Sequence, residues 1–370
     1  MINLSDKSQC CGCEACRTIC PKHSITMQED SEGFLYPKVN KDTCIDCGLC
    51  EKVCPILNPV NNDAEPEVYA AINNDENIRM QSSSGGIFTL LAERVINKGG
   101  VVFGACFDKD WNVVHDYTET IDGLTRIRGS KYVQSRIGNS FNKVKSFLDE
   151  GREVLFSGTP CQIAGLKNFL KKQYDNLLSV EVVCHGVPSP KVWQKYISAM
   201  PDIQQMSFRS KVHGWKKFNV SFSFKDGTKE ETEFYKNPYM NVFLSNLSLR
   251  PSCYACPVKL RNSRCDMALA DFWGMDKIAP EIDDDKGCGL VLVYKNEKFN
   301  FSRDLNCRLH MQELQEVIKY NPCILESVDK PINRDFFFTA LNHFGFVRAY
   351  KLVFDNNILF RLIRKIYRLL

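Results

Sequence analysis

From Val68 onward, short apolar runs alternate with longer amphipathic ones, the pattern of strands interleaved with helices. It predicts strands over Val68–Ile72 and Val101–Phe107, with a helix over Gly86–Asn97 between them. A second unit reads as a strand over Glu153–Ser157, a helix over Gln162–Lys172 and a strand over Leu178–Cys184, the order of a βαβ crossover. Further along, Gln205–Ser210, Phe218–Phe224 and Thr228–Phe234 have strand patterning, and Lys225-Asp226-Gly227 supplies turn chemistry between the last two. A β-rich insertion therefore follows the α/β core. Ahead of Val68, the polar and proline-bounded stretch Asn58–Pro66 reads as a linker. The last residues differ in kind: Arg361, Arg364, Lys365 and Arg368 recur at helical spacing among leucines and isoleucines from Ile358 to Leu370. Such a basic amphipathic helix suits a peripheral membrane contact, a partner surface or the chain's own core.

Composition narrows this picture. With 370 residues, 44% hydrophobic, 25% charged and a net charge of +4, the chain has room for two or three domains. No apolar run approaches the roughly 18 residues needed to span a bilayer, and the mild basic balance, spread along the chain, makes no case for nucleic acid. Eighteen cysteines in a chain of this length, with no charged-then-apolar leader, point to a reducing cytoplasm rather than to disulfides.

Eight of those cysteines fall in two runs of one spacing, Cys10-x2-Cys13-x2-Cys16-x3-Cys20-Pro21 and Cys44-x2-Cys47-x2-Cys50-x3-Cys54-Pro55. Bacterial ferredoxins hold two 4Fe-4S clusters with this spacing: each loop gives three thiolates to one cubane, and the fourth cysteine crosses to the other. The first cluster is expected on Cys10, Cys13, Cys16 and Cys54, and the second on Cys44, Cys47, Cys50 and Cys20. Zinc sites take four ligands in two pairs, which two repeated four-cysteine runs do not resemble. Cys11, beside a ligand, reads as a bystander.

Two more cysteines sit where the carboxyl ends of parallel strands are expected: Cys161 in Gly158-Thr159-Pro160-Cys161, and Cys184. Cys253-x2-Cys256 adds a close pair, with Cys265 nine residues on. Four thiols from three loops would make a third 4Fe-4S site; buried apolar cysteines, or another metal on the second pair, are the alternatives. The run Gln81-Ser-Ser-Ser-Gly-Gly86, directly before a helical pattern, has the design of a phosphate cradle or of an ordinary helix cap.

Taken in order, Ser82-Ser-Ser-Gly-Gly-Ile-Phe-Thr-Leu-Leu91, Lys131-Tyr-Val-Gln-Ser135, Gly158-Thr-Pro-Cys-Gln162, Cys184-His-Gly-Val-Pro-Ser189, Cys253-x2-Cys256 and Ala270-Asp-Phe-Trp-Gly274 resemble the coenzyme F420 hydrogenase/dehydrogenase beta-subunit family, with a 2x4Fe-4S ferredoxin domain in front. The resemblance implies a ferredoxin domain over 1–60, an FAD-binding N-terminal part over 66–145, a C-terminal part over 150–320 and a helical tail over 321–370. It also implies FAD, with Ser84, Gly85 and Gly86 at the pyrophosphate, Lys131 and Tyr132 beside the flavin, and Ser82, Ser83 and Thr159 in the cofactor site. Replacing Gly85 is then expected to block FAD and spare the iron. Cys161, Cys184, Cys253 and Cys256 match the family's cluster cysteines, Cys265 is an alternate ligand, and His185 is a candidate proton donor or a structural histidine. The implied activity is that of an iron–sulfur flavoprotein oxidoreductase passing electrons between clusters, FAD and a redox partner protein or small hydride carrier. That carrier is a deazaflavin in archaeal members, whereas similar fused chains occur among bacterial polysaccharide genes. A non-catalytic electron-carrier subunit is the alternative.

Overall fold

The computed structural model describes residues 1–3, 6–60, 64–259, 263–294 and 305–355. The amphipathic pattern of Ile358–Leu370 lies outside them. In chain order the strands are β1 (Ile25–Glu29), β2 (Leu35–Val39), β3 (Glu67–Asn73), β4 (Val101–Phe107), β5 (Val113–Thr118), β6 (Val154–Gly158), β7 (Leu177–Val182), β8 (Ile203–Ser210), β9 (Asn219–Phe224), β10 (Lys229–Glu233), β11 (Met267–Asp271), β12 (Gly289–Val293) and β13 (Cys307–Gln312). Eight of them form one sheet in the order β13-β3-β12-β11-β7-β6-β4-β5. Its centre, β11, β7, β6 and β4, is parallel, and the flanking pairs are antiparallel. The structure is thus a mixed α/β fold with a ferredoxin-type segment in front.

Continuous apolar runs at the sheet centre follow from burial on both faces. Val101, Phe103, Val154 and Phe156 turn to one side, against the helices Ser140–Asp149 and Pro160–Leu170. Val102, Leu155, Leu178 and Val180 turn to the other, against the helix Ile87–Asn97. Cys11, Cys13, Ala15 and Val53 belong to the first of these cores, so the ferredoxin-type segment packs into the sheet domain. The helix Pro160–Leu170 starts earlier than periodicity predicts. Pro160 takes the first helical position, and Thr159 and Gln162 close a capping box around it. It links β6 to its parallel neighbour β7 and completes the predicted crossover.

The β-rich insertion is the antiparallel sheet β10-β9-β8, whose hairpin turns at Gly227 with φ +87°. It shares a core with the helices Pro190–Ile197, Pro238–Leu244 and Arg334–Phe354, the last of them kinked at Gly345. Periodicity did not separate β5, β11, β12 or β13, which flank or complete the main sheet. Among the described residues no helix is long and apolar enough to cross a membrane.

His115 on β5 shows how tightly this core is built. Its Nε2 meets Ser157 O at 3.0 Å, its Nδ1 meets Ser135 Oγ at 2.8 Å, and its ring stacks on Phe156. Burial pulls its pKa down to about 4. Between that value and the ordinary value near 6.5, the unfolded chain binds a proton that the folded chain does not, so stability rises with pH across this window and is lost on acidification. Urea unfolding at about pH 5 and about pH 7 is expected to differ by on the order of 2 kcal/mol through this residue, and His115→Phe to remove that difference. Equal pH slopes in both proteins would contradict this.

Candidate metal centres

The first expected set is gathered by the loop after the short turn Lys7–Gln9 and by the cysteine closing the second run. Cys10 and Cys54, with Cys50 of the second set, act electrostatically on the Cys16 thiol, Cys16 and Cys54 act on Cys13, and Cys10 and Cys50 act on Cys54. Gly12 at φ +72° and Glu14 at φ +58° turn the loop around this space. The second set, Cys20, Cys44, Cys47 and Cys50, lines a single open cavity with Met1, Ile45 and Gly48. Backbone N–H groups of Ile2 and Ser24 donate to Cys50 Sγ and Cys20 Sγ, each at 3.3 Å. Cys47 is exposed, so this set faces outward and the first faces the sheet domain.

The inward face is docked by few but buried contacts. The Arg250 guanidinium, with no exposure, donates to Cys10 O at 2.6 Å, Leu35 O at 2.9 Å and Gln134 Oε1 at 3.1 Å. Gln134 in turn donates to Cys11 O, and Ile137 N donates to Glu14 Oε1 at 2.9 Å. Arg334 clamps Glu32 with two nitrogens. Cys13 lies against the helix Pro160–Leu170 at Gly165, where an added Cβ would stand 2.9 Å from Cys13 Cβ and Sγ. The Cys11 thiol, expected as a bystander, is a close neighbour of both Cys13 and Cys161.

Cys161 therefore joins the ferredoxin-type segment to the third set. It sits in the first turn of its helix, just past the carboxyl end of β6; Cys184 follows the carboxyl end of β7; Cys253 and Cys256 come from the turn Pro251–Ala255 and the residue after it. Cys253, Cys161 and Cys256 are the charged neighbours that, after burial, push the Cys184 thiol well above its ordinary pKa. Burial lifts Cys253 to about 12 and Cys256 to about 11. Such thiols give up their protons when metal binds. Val187 N donates to Cys253 Sγ at 3.4 Å, and Thr159 Oγ1 lies 3.3 Å from Cys161 Sγ. Among the described residues no three His, Cys, Asp or Glu side chains are gathered as a single ion would gather them; a cubane instead takes one thiolate at each iron.

Cys265, the expected alternate ligand, is buried beside Glu181 and Ser263, away from the charge interactions that link the other four. Burial, in turn, lifts Glu181 to about 7. His185 has both ring nitrogens engaged, Nε2 with Asn246 Oδ1 at 2.7 Å and Nδ1 with Cys323 Sγ at 3.5 Å. Both contacts suit a histidine that holds its surroundings in place.

The residues expected around a flavin are committed elsewhere. Ser82 Oγ donates to Ile78 O, Ser84 Oγ donates to Cys288 O, and Ser83 Oγ accepts from Ser130 N. Gly85 is glycine because a Cβ there would stand 2.2 Å from Ala71 O and 2.4 Å from Gly289 N; Gly86 has φ +81°. The Lys131 ammonium, its pKa pulled down to about 7 by burial, donates to the carbonyls of Arg126, Ile127 and Arg128. Tyr132 OH accepts from Arg209, which is paired with Asp271 through two nitrogens. Thr159 is a helix cap. These residues do not fit an open pyrophosphate cradle. Sequence reasoning missed Arg250, Arg209 and Gln134 as organising residues; Gln134 and Asp271 were quoted only as motif members.

Comparison with known proteins places these features. Residues 68–141 match the model for the N-terminal part of the coenzyme F420 hydrogenase/dehydrogenase beta subunit, residues 151–313 that for the C terminus of the same beta subunit, and residues 9–57 that for a 4Fe-4S dicluster domain. The F component of the F(420)H(2) dehydrogenase from Methanosarcina mazei is 22% identical over 54% of this chain and 61% of its own. A coenzyme F420-dependent sulfite reductase from Methanocaldococcus jannaschii is 25% identical over 50% of this chain and 29% of its own. The chain thus spans only part of the length of either relative. A 7Fe ferredoxin from Hydrogenibacillus schlegelii is 38% identical over 15% of this chain and 64% of its own. The F420-reducing NiFe hydrogenase complex from Methanosarcina barkeri includes a chain that aligns with 79% of this one, over 93% of its own length, at a TM-score of 0.43 and 15% identity. By its paired N- and C-terminal matches behind a 4Fe-4S dicluster segment, the chain belongs to the coenzyme F420 hydrogenase/dehydrogenase beta-subunit family.

Proposed function

We propose that this chain is an iron–sulfur oxidoreductase with three 4Fe-4S centres: site 1 on Cys10, Cys13, Cys16 and Cys54, site 2 on Cys20, Cys44, Cys47 and Cys50, and site 3 on Cys161, Cys184, Cys253 and Cys256. The observation that carries it is the convergence of the last four thiols from three loops, with Cys11 between Cys161 and Cys13. A 4Fe-4S cluster, when bound, accepts and releases single electrons. The protein's own part is positional. N–H groups of Ile2, Ser24 and Val187 aim at ligand sulfurs, the usual means of tuning such centres. The docking contacts hold site 1 against site 3, while site 2 faces outward, where a redox partner protein would meet the chain. The electron route is therefore site 2, site 1, site 3, in either direction.

The names of the two long relatives favour a deazaflavin-type hydride carrier beyond site 3; a reducible glycan intermediate draws no support from them. FAD draws no support from the Ser82–Gly86 run. Anaerobic purification followed by iron, sulfide and flavin assays tests the reading. About twelve irons per chain are expected, the sum of three cubanes. About eight would leave a ferredoxin segment fused to a domain of other chemistry.

A further inference from the structure

Arg250 is a buried cation without an acidic partner. Its side chain has no exposure, its hydrogen bonds go to two carbonyls and one amide, and among the described residues no carboxylate pairs with it. Two aromatic rings, Tyr36 at 4.3 Å and Phe34 at 5.4 Å from the guanidinium carbon, complete its surroundings. Arg79, Arg209 and Arg334, buried to a comparable depth, each hold a carboxylate with two nitrogens. Burying a full charge with only neutral partners is costly, and proteins rarely retain such a charge without an anion nearby. The groups on either side of Arg250 supply one. Its Nε donates to the carbonyl of Cys10, a site 1 residue, its main chain is tied to Cys253, a site 3 residue, and its charge acts on the thiols of Cys253 and Cys161. A cluster held by four thiolates is an anion, and it gains a further negative charge on reduction.

We propose that the Arg250 guanidinium is the shared counter-charge of sites 1 and 3, stabilising the transferred electron on either of them. The inference rests on the three-centre reading. One electron passes from one centre to the other, no bond or proton changes hands, and the guanidinium stays charged throughout. Because the guanidinium donates to the peptide of Cys10 and stands within charge range of Cys161 and Cys253, it lowers the energy of the reduced form at each site. The outward-facing site 2 lies beyond its direct contacts. Arg250 is thus a positioning residue for charge, acting through the field rather than as a ligand.

The test is a redox titration of the anaerobically purified full chain, followed by electron paramagnetic resonance. Arg250→Gln keeps side-chain donors and removes the charge. It is expected to weaken reduction of sites 1 and 3 by about tenfold or more, ≈ 59 mV per tenfold for one electron, with site 2 least affected. Arg250→Lys keeps the charge and loses the fork, and is expected to hold both potentials near the unmodified values. Should Arg250→Gln not fold, Gln134→Glu places a carboxylate beside the intact guanidinium and is expected to lower the same two potentials. Unchanged potentials in Arg250→Gln or Gln134→Glu, or an Arg250→Lys shift as large as that of Arg250→Gln, would overturn the proposal. Failure of the three-centre reading shows separately, as an iron count of about eight in the unmodified chain before any variant is made.

Discussion

Replacing Cys256 by serine is expected to lower the iron content from about twelve to about eight per chain while the signals of sites 1 and 2 persist. The thiol belongs to the group of four at the carboxyl edge of β6 and β7, and the hydroxyl that replaces it is a harder ligand, ill-suited to an iron–sulfur core. Sites 1 and 2 take their ligands from residues 10 to 54 and do not share this thiol. Cys256 is only half-buried and ends a short turn, so the chain should still fold, melting lower by the stabilisation that the lost cluster supplied. Cys253→Ser should behave alike. Cys265→Ser, by contrast, should keep every iron, because its thiol faces Glu181. Full iron in Cys256→Ser, or loss of a centre in Cys265→Ser, would dismantle the assignment of site 3.

The second large effect is structural and falls where a cofactor effect was expected. Gly85→Val places a side chain against Ala71 O and Gly289 N, backbone atoms of the adjacent strands β3 and β12 that have nowhere to move. Overpacking of this kind costs on the order of 3 kcal/mol. The melting temperature should therefore fall, and iron should be lost along with the fold rather than spared. A Gly85→Val protein that melts like the unmodified chain, keeps its iron and lacks only flavin would restore the phosphate-cradle reading.

These two residues mark where the sequence was legible. The ferredoxin-type sets and the crossover carrying Cys161 and Cys184 were readable because their signals are local: a fixed cysteine spacing, and strand–helix–strand periodicity whose parallel pairing follows from handedness. Gly85 was ambiguous because the strands that crowd its missing side chain, β3 and the distant β12, are not visible locally, and a glycine before a helix looks the same whether it admits a phosphate or a neighbouring strand. Arg250 gave no signal at all. Its meaning depends on Cys10 and Leu35 at the far end of the chain. Cys11 was read as spare for the same reason, since its contact with Cys161 exists only once the two segments are docked. The antiparallel flanks escaped notice because the edge strand β13 carries a mixed, partly exposed pattern and its pairing with β3 is wholly non-local.

The absent side chain at position 165 has a consequence for how such a chain can change. Cys13 fills the volume that any larger residue there would claim. The ferredoxin-type segment and the sheet domain are therefore matched atom to atom at one point, although they are recognisable as separate modules. This ferredoxin-type segment moved onto another sheet domain would keep its own cysteine spacing and still fail to seat unless its Cys13 met a glycine there. In this chain, modularity of sequence and interchangeability of parts are different properties, and position 165 is where they part.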